Sequence, residues 1–240
     1  MAGALKLSLL IGPVPVPAPH AVMEALVTAK VVTGSGETQS GFELGFDLQL
    51  RSPLAVLFLV AGGSGLPLMR VVLLATVNNQ TQPVVDGVVT NVEMQPGTGG
   101  VGRLVVKGKD LSALMDIIEL TGVPYPAMPP SARVAVVLAK YAALGVVPMV
   151  IPSIVEDIPL PMQRTPQQRG TDYAYVKTLA QQCGHVFYLE AGPAPAMSKA
   201  YWGPEIRVGA PQPALSINMD ANTNVEEMSF LRVLSPILSY

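Results

Sequence analysis

The 240-residue chain has one cysteine, two histidines and few charges, with Asp, Glu, Lys and Arg together making up only 13% of it. One cysteine allows no internal disulfide and no multi-cysteine metal site, and is consistent with folding in a reducing cytoplasm. The formal net charge is −2, and there is no basic run or arginine-aromatic patch, so nucleic-acid binding has no electrostatic support. Uninterrupted apolar length is missing as well. The longest charge-free stretch, Ser52 to Met69, is broken by Gly62, Gly63, Gly65 and Pro67, whereas a membrane-spanning helix needs about 20 predominantly apolar residues. Near the N-terminus, the apolar run after Lys6 meets Pro13 too early for a signal-peptide core of roughly 7–15 residues. Neither a membrane span nor secretion by that route is expected. Without a secretory context, the glycosylation-like triplet Asn79-Gln80-Thr81 carries no weight.

What the chain has instead is apolar surface, with hydrophobic residues at 50% and a mean hydropathy of +0.42. A soluble monomer covers itself with mixed charge, so a chain this poor in it is expected to hide surface against other subunits. The 22 glycines and 23 prolines fall between periodic segments. Five of these segments between Val22 and Val106 read as strands: MEALVTAKVV, GFELGFDLQL, RVVLLATV, QPVVDGVVTNVEM and GRLVVKG. That rhythm fits an antiparallel barrel or sandwich. Asp86-Gly87 is either a two-residue hairpin turn or a glycine bend inside one longer strand.

From Asp110 the period changes. DLSALMDIIEL places Leu111, Leu114, Met115 and Ile118 at helical spacing after a capping Asp110. A second helix is predicted from a Ser131 cap to Gly145, with Val134, Val137, Leu138 and Tyr141 on one face. The segment from Pro148 to Pro166 reads as a proline-laced connector. A third helix opens at Thr171 or Asp172, ends at Gly184 and leads into a strand from His185 to Glu190. ALSINMD and EEMSFLRV read as strands again, which suggests a helical unit inserted into a β domain.

Few residues offer chemistry. Cys183 and His185 flank one glycine, but a cysteine in the last turn of a helix and a histidine opening the next strand point to a structural cysteine. His20 has no partner motif. Gly97, Gly99 and Gly102 spell a dinucleotide fingerprint, yet they lead into a strand rather than opening a helix, so a hairpin loop is expected. The adjacent acids Glu156-Asp157 and Glu226-Glu227 would face opposite sides of a strand. No catalytic, cofactor-binding or metal-binding residue is assigned. Trp202, in YWGP, is either a carbohydrate-stacking platform or a buried anchor.

Several segments taken together, in order, carry a resemblance: GKDLSALMD, PAMPPSARVAVVLAKYAALGVVP, QQRGTDYAYVKTLAQQCGHVFYLEAG, AYWGPEIR and ALSINMDANTNVEEMSFLRV. The chain resembles the baseplate hub proteins of contractile phage tails and injection systems, the phage late control protein D family, related to the hub part of type VI secretion spike proteins. IGPVPVPAPHAVMEALVTAKV resembles the version found in extracellular-type systems. The resemblance implies a non-enzymatic homotrimer, joining the inner tail tube to the central spike among other baseplate proteins, assembled in the cytoplasm and without cofactor. The implied fold is α+β and mainly β, an antiparallel tail-tube-like barrel with a helical α/β insertion: residues 1–108 plus 205–240 form the barrel, and 109–204 the insertion. Family members continue into a second barrel, left unassigned here; either the hub is shortened or the remainder lies outside the sequence. The alternative function is a cell-surface or polysaccharide-binding β module.

Overall fold

The structure is a computed structural model that describes residues 6–34, 39–48, 69–96, 102–153, 158–159 and 165–206. Met1–Glu205 forms one compact unit and Ile206–Tyr240 a second; ALSINMD and EEMSFLRV lie outside the described residues. The first unit is mainly β with α+β organisation. Its larger sheet contains β1 (Lys6–Gly12), β2 (Val16–Pro17), β3 (Leu26–Val32), β4 (Gly41–Leu48), β5 (Arg70–Val77), β6 (Gln80–Pro96) and β7 (Gly102–Asp110). The strand order is β2-β1-β5-β6-β7-β4-β3, antiparallel throughout.

This sheet curls, and the chain itself requires it. Ala18, beside β2 at one edge, still donates to the Leu9 carbonyl, and Leu26 begins β3 at the other edge. Between them lie only Pro19 and α1 (His20–Ala25), a reach of about 16 Å for a helix of under two turns and its links. In a flat sheet the outermost of seven strands would stand about 29 Å apart. The strap therefore draws the edges toward each other, and Val22 of α1 is buried in the core that the sheet encloses. Leu44, Phe46, Leu104 and Val106, all fully buried, fill that core from one face.

β6 resolves the Asp86-Gly87 ambiguity in favour of one long strand. Its first half pairs with β5 and its second with β7, and the two ladders overlap at Gly87-Val88. The change of partner demands close approach. A Cβ on Gly87 would run into the Lys109 carbonyl oxygen, so glycine is required there by contact rather than by φ. Strand β5 reads RVVLL because it is buried on both faces: Val71 and Leu73 enter the barrel core, and Val72, 0% exposed, points the other way.

The second half of the unit has a three-stranded sheet, β8 (Val146–Val150), β9 (His185–Ala191) and β10 (Ser198–Pro204), in the order β8-β10-β9. Helices α2 (Ser112–Met115), α3 (Pro130–Ala139) and α4 (Asp172–Gln182) pack with it. Val134, Val137, Leu138, Val176, Ala200 and Trp202 form its interior, joined by Val88 from the barrel.

Four expectations change. Met23 to Ala25 belong to α1, not to a strand. The helix predicted from Asp110 is a single turn, because the chain beyond it pairs with residues 166–171. Leu120 and Gly122 donate to the Gly170 and Gln168 carbonyls, and Ile118 is left 64% exposed. The second helix begins at Pro130 with Pro129 as its N-cap, not Ser131, and after a short 3₁₀ turn it closes on Gly145 at φ +79°. The predicted connector begins with a strand, since Pro148 lies within β8. The third helix is as expected, with the Thr171 hydroxyl accepting from the Ala174 amide and Gly184 at φ +65°.

Candidate functional site

The residues singled out in the sequence do not converge. Cys183 is the C-cap of α4, half-buried against the helical interior. His185 opens β9, its ring edge-on to Trp202 at 4.5 Å. His20 lies on α1 with Nδ1 3.2 Å from Glu24. Gly102 starts β7, while Gly97 and Gly99, Glu156-Asp157 and Glu226-Glu227 lie outside the described residues. Trp202 is 0% exposed and donates from Nε1 to the Val176 carbonyl at 3.3 Å. A buried indole offers no face for sugar stacking. Among the described residues no group of three or more His, Cys, Asp or Glu is placed to hold a metal.

Two polar constellations do form, and motif reading missed both. The first joins the two halves. Arg70 of β5 donates from Nε and Nη2 to both carboxylate oxygens of Asp86 on β6, at 2.7 and 2.6 Å. Nη2 also donates to the Ala196 carbonyl at 2.8 Å, and the Ser198 hydroxyl donates to Asp86 at 3.2 Å. Both side chains are buried. A bidentate pair with its remaining valences filled is the arrangement that makes burying opposite charges tolerable. Here it clasps the turn before β10 onto the barrel's outer face. The only sequence trace is faint: Asp86 sits within the run Val84–Val89 of β6 and Arg70 heads the apolar run Val71–Ala75 of β5, with nothing to pair them.

The second constellation lies inside the helical half. Asp172, at the first position of α4, accepts from Lys140 Nζ, the Tyr141 hydroxyl and Gln168 Nε2 at 2.6–2.8 Å. Tyr125 donates to the Gln168 side-chain oxygen at 2.8 Å and stacks on Tyr175, which accepts from Arg133. Burial, reinforced by the Asp172 charge, pushes the Tyr141 phenol well above its usual range. Each group is committed to a neighbour, so the network works as a pin between α3, α4 and the irregular segments.

Between the halves lies a groove. A cavity of about 500 Å³ is walled by Pro83 to Asp86 of β6 on one side and Tyr188 to Ala191 of β9 on the other, with Ser40 and Asp110 also lining it. Asp110 accepts from the amide and hydroxyl of Ser112. Burial raises its carboxyl above the ordinary range, against the lowering effect of hydrogen bonds from Ser112 and Ser40.

No protein-family model and no curated protein matches the chain. Solved structures do. A tail protein from Neisseria meningitidis MC58 aligns over 82% of this chain and 50% of its own length, at TM-score 0.51 and 11% identity. A chain of the half-lidded Francisella PdpA-VgrG complex aligns over 86% of this chain and 32% of its own, at TM-score 0.56 and 11% identity. The fold is a phage-tail-protein fold. The 43 kDa tail protein of prophage MuSo2 from Shewanella oneidensis shares it, at TM-score 0.50 and 13% identity over 86% of this chain and 57% of that one. The chain thus spans from just under a third to somewhat over half the length of these tail-fold chains.

Proposed function

We propose that the chain is a non-enzymatic subunit of a contractile-tail baseplate, a hub protein that assembles as a homotrimer between the inner tube and the central spike. The observation that carries this reading is the tail-protein fold, matched over more than four fifths of the chain. The composition supports it. A ring subunit buries surface against sister chains, tube, spike and other baseplate proteins, so a charge content of 13% and exposed apolar residues such as Val14, Val16 and Ile118 suit faces that do not stay wet. Residues 1–108 with 205–240 serve as the hub barrel and 109–204 as its decorating insertion. The subunit is made and assembled in the cytoplasm into a phage, extracellular or membrane-anchored particle. It takes no cofactor and binds no nucleic acid. Among the described residues no helix is long and apolar enough to cross a membrane. With Trp202 buried, the polysaccharide-binding alternative loses the residue that motivated it.

Native mass spectrometry with averaged micrographs of tail particles tests this. A mass three times that of the 25.2 kDa chain, with density for the chain between tube and spike, is expected. A monomer at all concentrations that is absent from purified particles would sink the proposal.

A further inference from the structure

The two edges of the small sheet are treated differently. Ile151 donates to the Trp202 carbonyl, which fixes the parity of β8 against β10: Val147 and Met149 turn their backbone groups inward, and Pro148 turns outward. The outward edge of β8 is therefore guarded by a residue with no N–H to offer. At the opposite edge, Gly192 donates to the Met197 carbonyl, so Val186, Tyr188 and Glu190 bond to β10 while Phe187, Leu189 and Ala191 present their N–H and C=O groups to the free side. Among the described residues β9 pairs only with β10. Its free edge carries no proline, and Tyr188 to Ala191 line the groove across from β6. Phe187 to Ala191 offers about 13 Å of ladder, enough for a short strand.

The charge of the groove selects what fits it. Asp86, Asp110 and Glu190 line it, and no Lys or Arg does among the described residues. Asp86 is matched by Arg70, and Glu190 by Lys199 at 2.6 Å. Asp110, 5% exposed, is held by neutral donors from Ser112 and Ser40. One buried carboxyl is thus left without a cation beside it.

We infer that this groove receives an extended polypeptide segment that adds as a strand to the free edge of β9 and brings a lysine or arginine side chain to Asp110. Main-chain bonds to Leu189 and Ala191 supply affinity without regard to sequence, and the cation supplies the preference. The inference rests on the edge and the groove, not on the hub reading, and the two can fail separately.

The probes are two blocked peptides, acetyl-Thr-Val-Lys-Val-Thr-amide and its twin with Glu in place of Lys, titrated into the intact chain. Hydrogen exchange at the Leu189 and Ala191 amides is followed by NMR. Slowed exchange at both amides with the lysine peptide is expected, together with at least about tenfold weaker binding of the glutamate peptide. Asp110→Asn should bring the two affinities to within about threefold. The peptide pair makes the comparison on the unmodified protein, so the charge test survives a variant that fails to fold. Three results overturn the inference: unchanged exchange at both amides with millimolar lysine peptide, equal affinity for the two peptides, or amides already as protected as those of the β9–β10 ladder in the free protein. The last would mean that the chain fills its own edge.

Discussion

Inside the barrel, Phe42, Phe46, Leu104 and Val106 pack with other apolar side chains; in the helical half, Val134, Val176 and Trp202 share the interior with Gln168, Asp172 and Arg133. The difference follows from where the backbone bonds go. In the barrel, ladders along β4–β7 and β6–β7 satisfy the main chain, so side chains are free to be hydrocarbon. The helical half is threaded by segments that are neither helix nor long strand, notably 116–129 and 166–171; a few backbone bonds join them to each other, and side chains add to these. Asp116 accepts from Thr171 at 2.6 Å, Thr121 accepts from the Gly170 amide at 3.0 Å, and Asp172 gathers three donors. Regular pairing builds a core from apolar residues alone, whereas the irregular chain draws on polar side chains, exposed at Asp116 and Thr121 and buried at Gln168 and Asp172.

Three substitutions probe that contrast. The largest effect is expected at the junction. Arg70→Ala leaves Asp86 buried without its cation and should lower stability by about 3–5 kcal/mol, with exchange accelerating first in residues 192–198. A urea midpoint within experimental error of wild type would remove the clasp from the account. Asp172→Asn should cost less, about 1–3 kcal/mol, because Lys140 and Tyr141 lose part of a shared acceptor. Faster exchange confined to α3, α4 and β9, with β4 to β7 unchanged, is the pattern that separates the two halves. Uniform acceleration would show one cooperative interior instead. The smallest effect concerns pH. The Asp110 carboxyl is raised in the folded state by burial, so the stability it contributes is present below its ordinary pKa and is lost as pH rises through the raised value. Asp110→Asn should therefore gain on wild type as pH climbs from about 3.8. Midpoints that stay parallel across pH 3 to 7 would refute it.

Much of the barrel was legible because one-sided burial writes alternation into β4, and two-sided burial writes a continuous apolar run into β5 and the short run Leu104–Val106 into β7. The helical half was harder. DLSALMDIIEL has helical spacing, yet the pairing of 119–124 with 167–171 outweighs that local preference after one turn. VVPMV was masked as a strand by its proline, which is tolerated because position 148 faces the unpaired side. The polar clasp and the groove were hidden for another reason. Arg70, Asp86 and Ala196 meet only once β5, β6 and the turn before β10 are stacked, and a single sequence does not encode that register in any short motif. The resemblance to hub proteins anticipated the fold, but not these contacts.

The strap made by α1 also bears on how the cylinder keeps its girth. Since a reach of about 16 Å joins the outermost strands, the perimeter is governed by the number of residues between Ala18 and Leu26, much as a buckle hole governs the fit of a belt. Insertion or deletion of residues in that one short connection would widen or narrow the curled sheet and leave every strand ladder in register.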